Sequence, residues 1–150
     1  MTVPTRPTLL NSCAWAATAA EARFRIDRPI GGRSVLIVAL DDDAAEVVDR
    51  VAEQPWGGAR FFRSPDDPLL AELIPEADVA IMVGTADADG DAASAIAQAC
   101  TSRGIMTAGL ILGERVDVAA AVSALRPYAR NLMVTEDEDD VAAVLTALRA

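Results

Sequence analysis

Acidic side chains follow two apolar runs of this sequence, and they are the residues whose types and spacing suit ligand chemistry. An acidic triplet at residues 41–43 comes directly after the apolar run 35–40, and the sequence TADADGD follows the run 79–83. If the two runs are neighbouring parallel strands, these carboxylates meet at the sheet edge where open α/β folds bind ligands. Clustered oxygens are what Mg²⁺ and Ca²⁺ require. The candidate cation ligands are therefore Asp41, Asp42, Asp43, Asp87, Asp89 and Asp91.

Helix capping is the simpler interpretation of both acidic turns. Aspartate before a helix accepts hydrogen bonds from the first-turn amides and is favoured by the helix dipole. The triplet precedes a helical pattern with Ala44, Val47, Val48 and Val51 on one face. The D-x-D-G-D spacing of the second turn lacks the terminal glutamate of a calcium loop. We expect capping in both turns and keep the cation site as the alternative.

The composition excludes several classes of chemistry. The chain has no His and no Lys, so the usual general base and the Schiff-base amine are absent and its hydroxyls have no ordinary activator. Cys13 and Cys100 lie far apart without a C-x-x-C motif, and we expect free thiols in a reducing, cytoplasmic compartment, with Cys100 in the core. A formal net charge of −10 disfavours nucleic acid or an anionic membrane as partner. A non-enzymatic protein is favoured, and carboxylate-based catalysis on a Rossmann-like or flavodoxin-like scaffold is the enzymatic alternative.

Strand and helix patterns alternate at short intervals from residue 34 onward. This order predicts one α/β domain over residues 34–150, a three-layer, doubly wound, Rossmann-like sheet of about five parallel strands. Residues 1–33 are predicted to be an N-terminal arm with a short helix. In the helix after the second acidic turn, we expect Ala92, Ala95, Ile96 and Cys100 to face inward, and Asp139 or Asp140 to cap the last helix. The predicted strands are 35–40, 59–63, 78–83, 105–112 and 132–135, and the predicted helices end near residues 54, 74, 102, 129 and 149.

Three stretches of residues 34–150 resemble the nucleotide-binding domain of the bacterial tubulin-like cell-division GTPase FtsZ. The first is VLIVALDDDAAEVVDRVAEQPWGGARFFRS, which is similar to that family's first strand, glycine loop, first helix and second strand. The second is EADVAIMVGTADADGDAASAIAQACTSRGIMTAGLIL, which is similar to its central strand, phosphate-binding loop, helix and next strand. The third is ALRPYARNLMVTEDEDD, which resembles its later helix and the strand before a polar turn. The resemblance implies a GTP-binding scaffold in which Gly84, Thr85 and Gly90 approach the phosphates.

The sequence departs from that family where the phosphates would lie. The family has glycine-rich loops there, whereas this chain has aspartates at residues 41–43 and in the turn 85–91. Two like charges 4 Å apart repel by about 1 kcal/mol in water and about 4 kcal/mol at an effective dielectric of 20. We therefore expect a bacterial pseudo-GTPase without a resident cofactor, acting as a non-catalytic module that binds a protein partner or forms a homo-oligomer. Weak Mg²⁺-dependent GTP or cation binding is the alternative, and the candidate partner-binding residues are Trp15, Arg23, Phe24 and Arg25.

Overall fold

Five parallel strands form the centre of the fold in residues 32–150, the part of the chain that the computed structural model describes. Their order across the sheet is β2-β1-β3-β4-β5, and every neighbouring pair is parallel. The predicted five-stranded parallel α/β fold is thus confirmed, and the strand order adds that β1 and β3 lie side by side. The strands are β1 (Val35–Ala39), β2 (Ala59–Phe62), β3 (Val79–Gly84), β4 (Met106–Leu112) and β5 (Asn131–Thr135).

Helices cover both faces of this sheet and give the fold three layers. On one face pack α1 and α5, and on the other pack α2, α3 and α4. No helix within residues 32–150 has the length and apolar character needed to cross a bilayer. The helices are α1 (Asp42–Ala52), α2 (Pro68–Leu73), α3 (Gly90–Thr101), α4 (Ala119–Leu125) and α5 (Asp139–Leu148), and a short 3₁₀ helix (Ile74–Glu76) follows α2.

The central strands are buried on both faces because helices cover each side of a parallel sheet. Every residue of β1 and β3 is buried. Side chains alternate between the two cores, so Leu36 and Val38 pack toward α2, α3 and α4, while Val35 and Ile37 pack toward α1 and α5. Continuous apolar runs therefore predicted these strands correctly, and their rigid carboxyl ends position the acidic turns.

The helix α1 also matches its prediction. Ala44, Val47, Val48 and Val51 are all buried against the sheet. On the exposed side, the Arg50 guanidinium donates two hydrogen bonds to the Glu138 carboxylate, with Nη2–Oε1 at 2.7 Å and Nε–Oε2 at 3.1 Å. This bidentate pair joins the last turn of α1 to the residue that precedes α5, so the two helices of this face are linked by side chains as well as by the core.

Two helix predictions were not fully correct. In α3, Ile96 and Cys100 are buried as predicted and the partly buried Ala92 packs against the core, but Ala95 is exposed and the other buried residues are Ala93 and Ala97. Alanine occurs on every side of this helix, so the apolar pattern does not distinguish adjacent faces. At α5 neither Asp139 nor Asp140 is the cap: both lie in the first turn, and Glu138 occupies the N-cap position without a side-chain capping bond.

Two helix ends also differ from the prediction, both near proline. The helical segment predicted to end near residue 74 continues past it, because Pro75 lies inside the 3₁₀ helix Ile74–Glu76. α4 ends before the predicted residue 129, since its last helical residue is Leu125 and Pro127 follows. Proline lacks an amide hydrogen and clashes with the preceding turn, so it shortens a regular helix without preventing a tighter turn.

Candidate functional site

Asp41 joins the carboxyl ends of β1 and β3, at the point where the strand order reverses direction. Its Oδ1 accepts a hydrogen bond from the Ala44 amide at 2.8 Å, which makes Asp41 the N-cap of α1. Its Oδ2 accepts a second bond from the Thr85 amide at 2.7 Å, in the turn after β3. Amides at a helix N-terminus and at such a switch point are the donors that bind phosphates in other α/β folds. In this chain an internal carboxylate already satisfies two of them.

The turn after β3 is closed by its own hydrogen bonds. The Thr85 carbonyl accepts from the Ala88 amide at 3.1 Å. Asp89 is the N-cap of α3, and its Oδ1 accepts from the Asp91 amide at 2.9 Å. The predicted capping role is therefore confirmed in both acidic turns, by Asp41 in the first and Asp89 in the second.

Gly84 and Gly90, which the resemblance to FtsZ placed near the phosphates, are explained by packing within the protein. A Cβ atom added at Gly84 would lie 2.6 Å from the Ala88 Cβ, so only glycine fits where the turn folds back on the end of β3. A Cβ atom added at Gly90 would lie 3.3 Å from the Ala124 Cβ of α4. Both glycines permit close contact between parts of the chain, and Thr85 contributes its amide to Asp41.

The structure does not gather the six candidate cation ligands into one cluster. Asp42, Asp43, Asp87 and Asp91 are exposed, while Asp41 and Asp89 are engaged as caps. Among residues 32–150, no group of three or more His, Cys, Asp or Glu side chains is arranged to hold a metal ion. A cation at this edge would have to compete with amide hydrogen bonds for Asp41 and Asp89.

The candidate partner-binding residues Trp15, Arg23, Phe24 and Arg25 lie outside the described residues, and their role stays a prediction. The aromatic residues after residue 32 act in packing, as expected. Phe62 is buried between the sheet and α2, α3 and α4. Trp56 packs against the opposite core and donates from Nε1 to the Val51 carbonyl at 2.9 Å.

Cys100 is a core residue, as the sequence indicated. Its side chain is fully buried in the layer formed by α2, α3 and α4. Burial raises the pKa of the Cys100 thiol, and the nearby Arg103 opposes this only in part. Because a raised pKa disfavours the nucleophilic thiolate, Cys100 is unsuited to covalent catalysis.

Open surfaces flank β5, and no motif in the sequence indicated them. On the α5 side, a cavity of about 300 Å³ is lined by Met106, Ala108, Met133, Val144 and Leu148, among others. On the α4 side, a cavity of about 480 Å³ is lined by residues that include Leu132, Val134 and Arg126. β5 was predicted as a strand, but its place at the sheet edge depends on the strand order. The uncharged run NLMVT was the available signal.

Comparison with known proteins adds no family assignment. No protein-family model matches the chain, and no curated protein sequence matches it significantly. The resemblance to FtsZ therefore rests on the sequence stretches quoted above, and it enters the functional argument only as a proposal.

Proposed function

We propose that this protein is a non-catalytic binding or assembly module, built on a degenerate FtsZ-like nucleotide-binding scaffold. One observation carries the proposal: the Asp41 carboxylate accepts from the Ala44 and Thr85 amides at 2.8 and 2.7 Å. It thereby occupies the donors that would hold a nucleotide's phosphate. A phosphate entering this point would first have to displace Asp41 from both amides.

Electrostatics at the same edge also oppose a phosphate. Asp42 and Asp43 lie in the first turn of α1, and Asp91 lies in the first turn of α3. The positive end of each helix dipole is thus already complemented by side-chain carboxylates. A triphosphate at this edge would be repelled by these carboxylates as well as by Asp41. Each such repulsion at 4 Å costs about 1 kcal/mol in water and about 4 kcal/mol at an effective dielectric of 20.

The described side chains favour binding over catalysis. The chain contains no His or Lys to activate a hydroxyl, and the Cys100 thiol is buried. Near the switch point, Thr85 Oγ1 accepts a long hydrogen bond of 3.5 Å from the Asp87 amide. No basic side chain is present in either acidic turn to balance a developing negative charge. The ligand class that we assign to this module is a protein partner, with residues 1–33 as the candidate contact.

A thermal-shift panel on the full chain tests the proposal. GTP, GDP and ATP at millimolar concentration, each with and without Mg²⁺, should leave the unfolding temperature unchanged, because Asp41 occupies the phosphate donors. A known GTPase in the same plates confirms that the ligands and the metal are active. A saturable rise of several degrees with GTP and Mg²⁺ would instead support the nucleotide-binding alternative and overturn this proposal.

A further inference from the structure

Within residues 32–150, no strand pairs with the outer side of the edge strand β5. Among the described strands it pairs with β4 alone. The Gly113 amide donates to the Thr135 carbonyl at 2.9 Å, so the peptide groups of Thr135 face β4. Peptide groups alternate in direction along a strand, which turns those of Leu132 and Val134 to the open side. Such a row of free donors and acceptors is a template for pairing with another strand.

The two edges of the sheet differ in how they are protected. At the opposite edge, β2 carries the exposed Arg60 and is followed by Arg63, whose Nε lies 3.0 Å from Asp49 Oδ2. Charged side chains of this kind discourage strand pairing. β5 has the sequence NLMVT, without a charge or a proline, and its Met133 side chain is 38% exposed. Within the strands themselves, β2 therefore carries a charged side chain that discourages pairing, and β5 carries none.

Apolar side chains line both faces next to this open edge. Leu132 and Val134 pack on the α4 side and also border the cavity there. Met133 points to the opposite side and borders the cavity beside α5. A strand added to β5 would therefore gain backbone hydrogen bonds and cover apolar side chains above and below the sheet.

We propose that the added strand is β5 of a second copy of this chain, antiparallel to the first, with a two-fold axis at Met133. This register places Leu132 opposite Val134 of the partner subunit, as a hydrogen-bonded pair, on both sides of the axis. It also brings Arg130 close to Glu136 of the partner subunit, since the two residues lie just beyond opposite ends of β5 (Asn131–Thr135). Both side chains are exposed, and neither belongs to the ion pairs found within residues 32–150.

Charge complementarity selects a second copy as the occupant. In the stretch RNLMVTE the basic residue comes first and the acidic residue comes last, so an antiparallel copy matches opposite charges at both ends. Opposite charges facing each other across strands stabilise pairing, and like charges destabilise it. In a parallel copy, no two-fold axis would relate the two ends of the pairing, so opposite charges would not meet at both ends. The inference goes beyond the proposed function and does not depend on Asp41.

Complementary charge variants of the full chain test this interface. Arg130→Glu and Glu136→Arg each place like charges together at both ends of the pairing, so each should raise the dimer dissociation constant at least about tenfold. An equimolar mixture of the two variants should recover dimers, because a mixed pair brings opposite charges together at both ends. Sedimentation velocity gives the oligomeric state, and circular dichroism confirms that each variant is folded.

Arg60→Glu is the matched control, since it makes the same charge change at the protected edge. It should dimerise like the wild type.

A wild-type chain that is monomeric at about 100 µM would overturn the proposal, because a specific interface should be populated at that concentration. A dimer that neither charge variant weakens, or single variants whose mixture stays monomeric, would also overturn it. Any of these results would leave the Asp41 proposal untouched, just as nucleotide binding would leave the dimer intact.

Discussion

Asp41 is the side chain that links the two acidic turns at the carboxyl edge of the sheet. Its two oxygens serve two turns, one bond capping α1 and the other holding the Thr85 amide. We predict that Asp41→Ala lowers the free energy of unfolding by about 2–4 kcal/mol. Loss of an N-cap costs about 1 kcal/mol, and an amide left without its partner costs about 1–3 kcal/mol. Equilibrium urea denaturation measures the change.

Two substitutions separate this effect from a general loss of negative charge. Asp43→Ala removes an exposed first-turn carboxylate for which no capping bond is observed, and it should cost less than about 1 kcal/mol. Asp41→Asn keeps one acceptor oxygen and should fall between the two alanine variants. If Asp41→Ala and Asp43→Ala proved equally mild, the bridge between the turns would contribute nothing beyond helix-dipole electrostatics.

At the scale of elements, the turn between β3 and α3 depends on a close contact between Gly84 and Ala88 that only glycine allows. A Cβ atom at Gly84 would lie 2.6 Å from the Ala88 Cβ, well inside normal contact distance. We predict that Gly84→Ala destabilises the protein by about 1–3 kcal/mol, the usual cost of overpacking. Unfolding of the variant in urea, compared with the wild type, provides the measurement.

A double-mutant cycle locates the cause of that loss. Ala88→Gly removes the atom that the new Cβ would strike, so the double variant should lose less stability than the two single changes combined. Gly57→Ala serves as the control, because an added Cβ there has no atom within 4 Å and its effect should stay within about 0.5 kcal/mol. Simple additivity of Gly84→Ala and Ala88→Gly would show that the turn tolerates the added methyl group.

For the whole molecule, sequence patterns predicted the elements and the parallel α/β class but not the order of the strands. Strands such as β1 were evident because helices bury both of their faces and leave a continuous apolar run. Capping by the triplet 41–43 was evident too, since an N-cap depends on local sequence, and the structure assigns the cap to Asp41. Its bond to Thr85 spans 44 residues and exists only because β1 and β3 are neighbours. The open edge at β5 was missed for the same reason, because strand order is a property of the assembled sheet.

The charge of −10 acts on the molecule as a whole and gives the last prediction. Raising NaCl from about 20 to about 300 mM should raise the free energy of unfolding by on the order of 1 kcal/mol, since salt screens repulsion among the carboxylates. Salt also weakens favourable ion pairs, but this loss is small. The two ion pairs within residues 32–150, Arg50–Glu138 and Arg63–Asp49, are both exposed and contribute little stability. Urea unfolding at each salt concentration measures the effect.

Replacing NaCl by MgCl₂ at equal ionic strength then separates screening from a specific cation site. Screening alone predicts little difference between the salts, since Asp41 and Asp89 are engaged by amides and the exposed aspartates form no cluster. An added stabilisation that saturates at millimolar Mg²⁺ and disappears in the Asp42→Asn/Asp43→Asn double variant would mean that the acidic turns bind a cation. Because a bound cation would neutralise the carboxylates that oppose a phosphate, that outcome would restore the Mg²⁺-dependent nucleotide alternative.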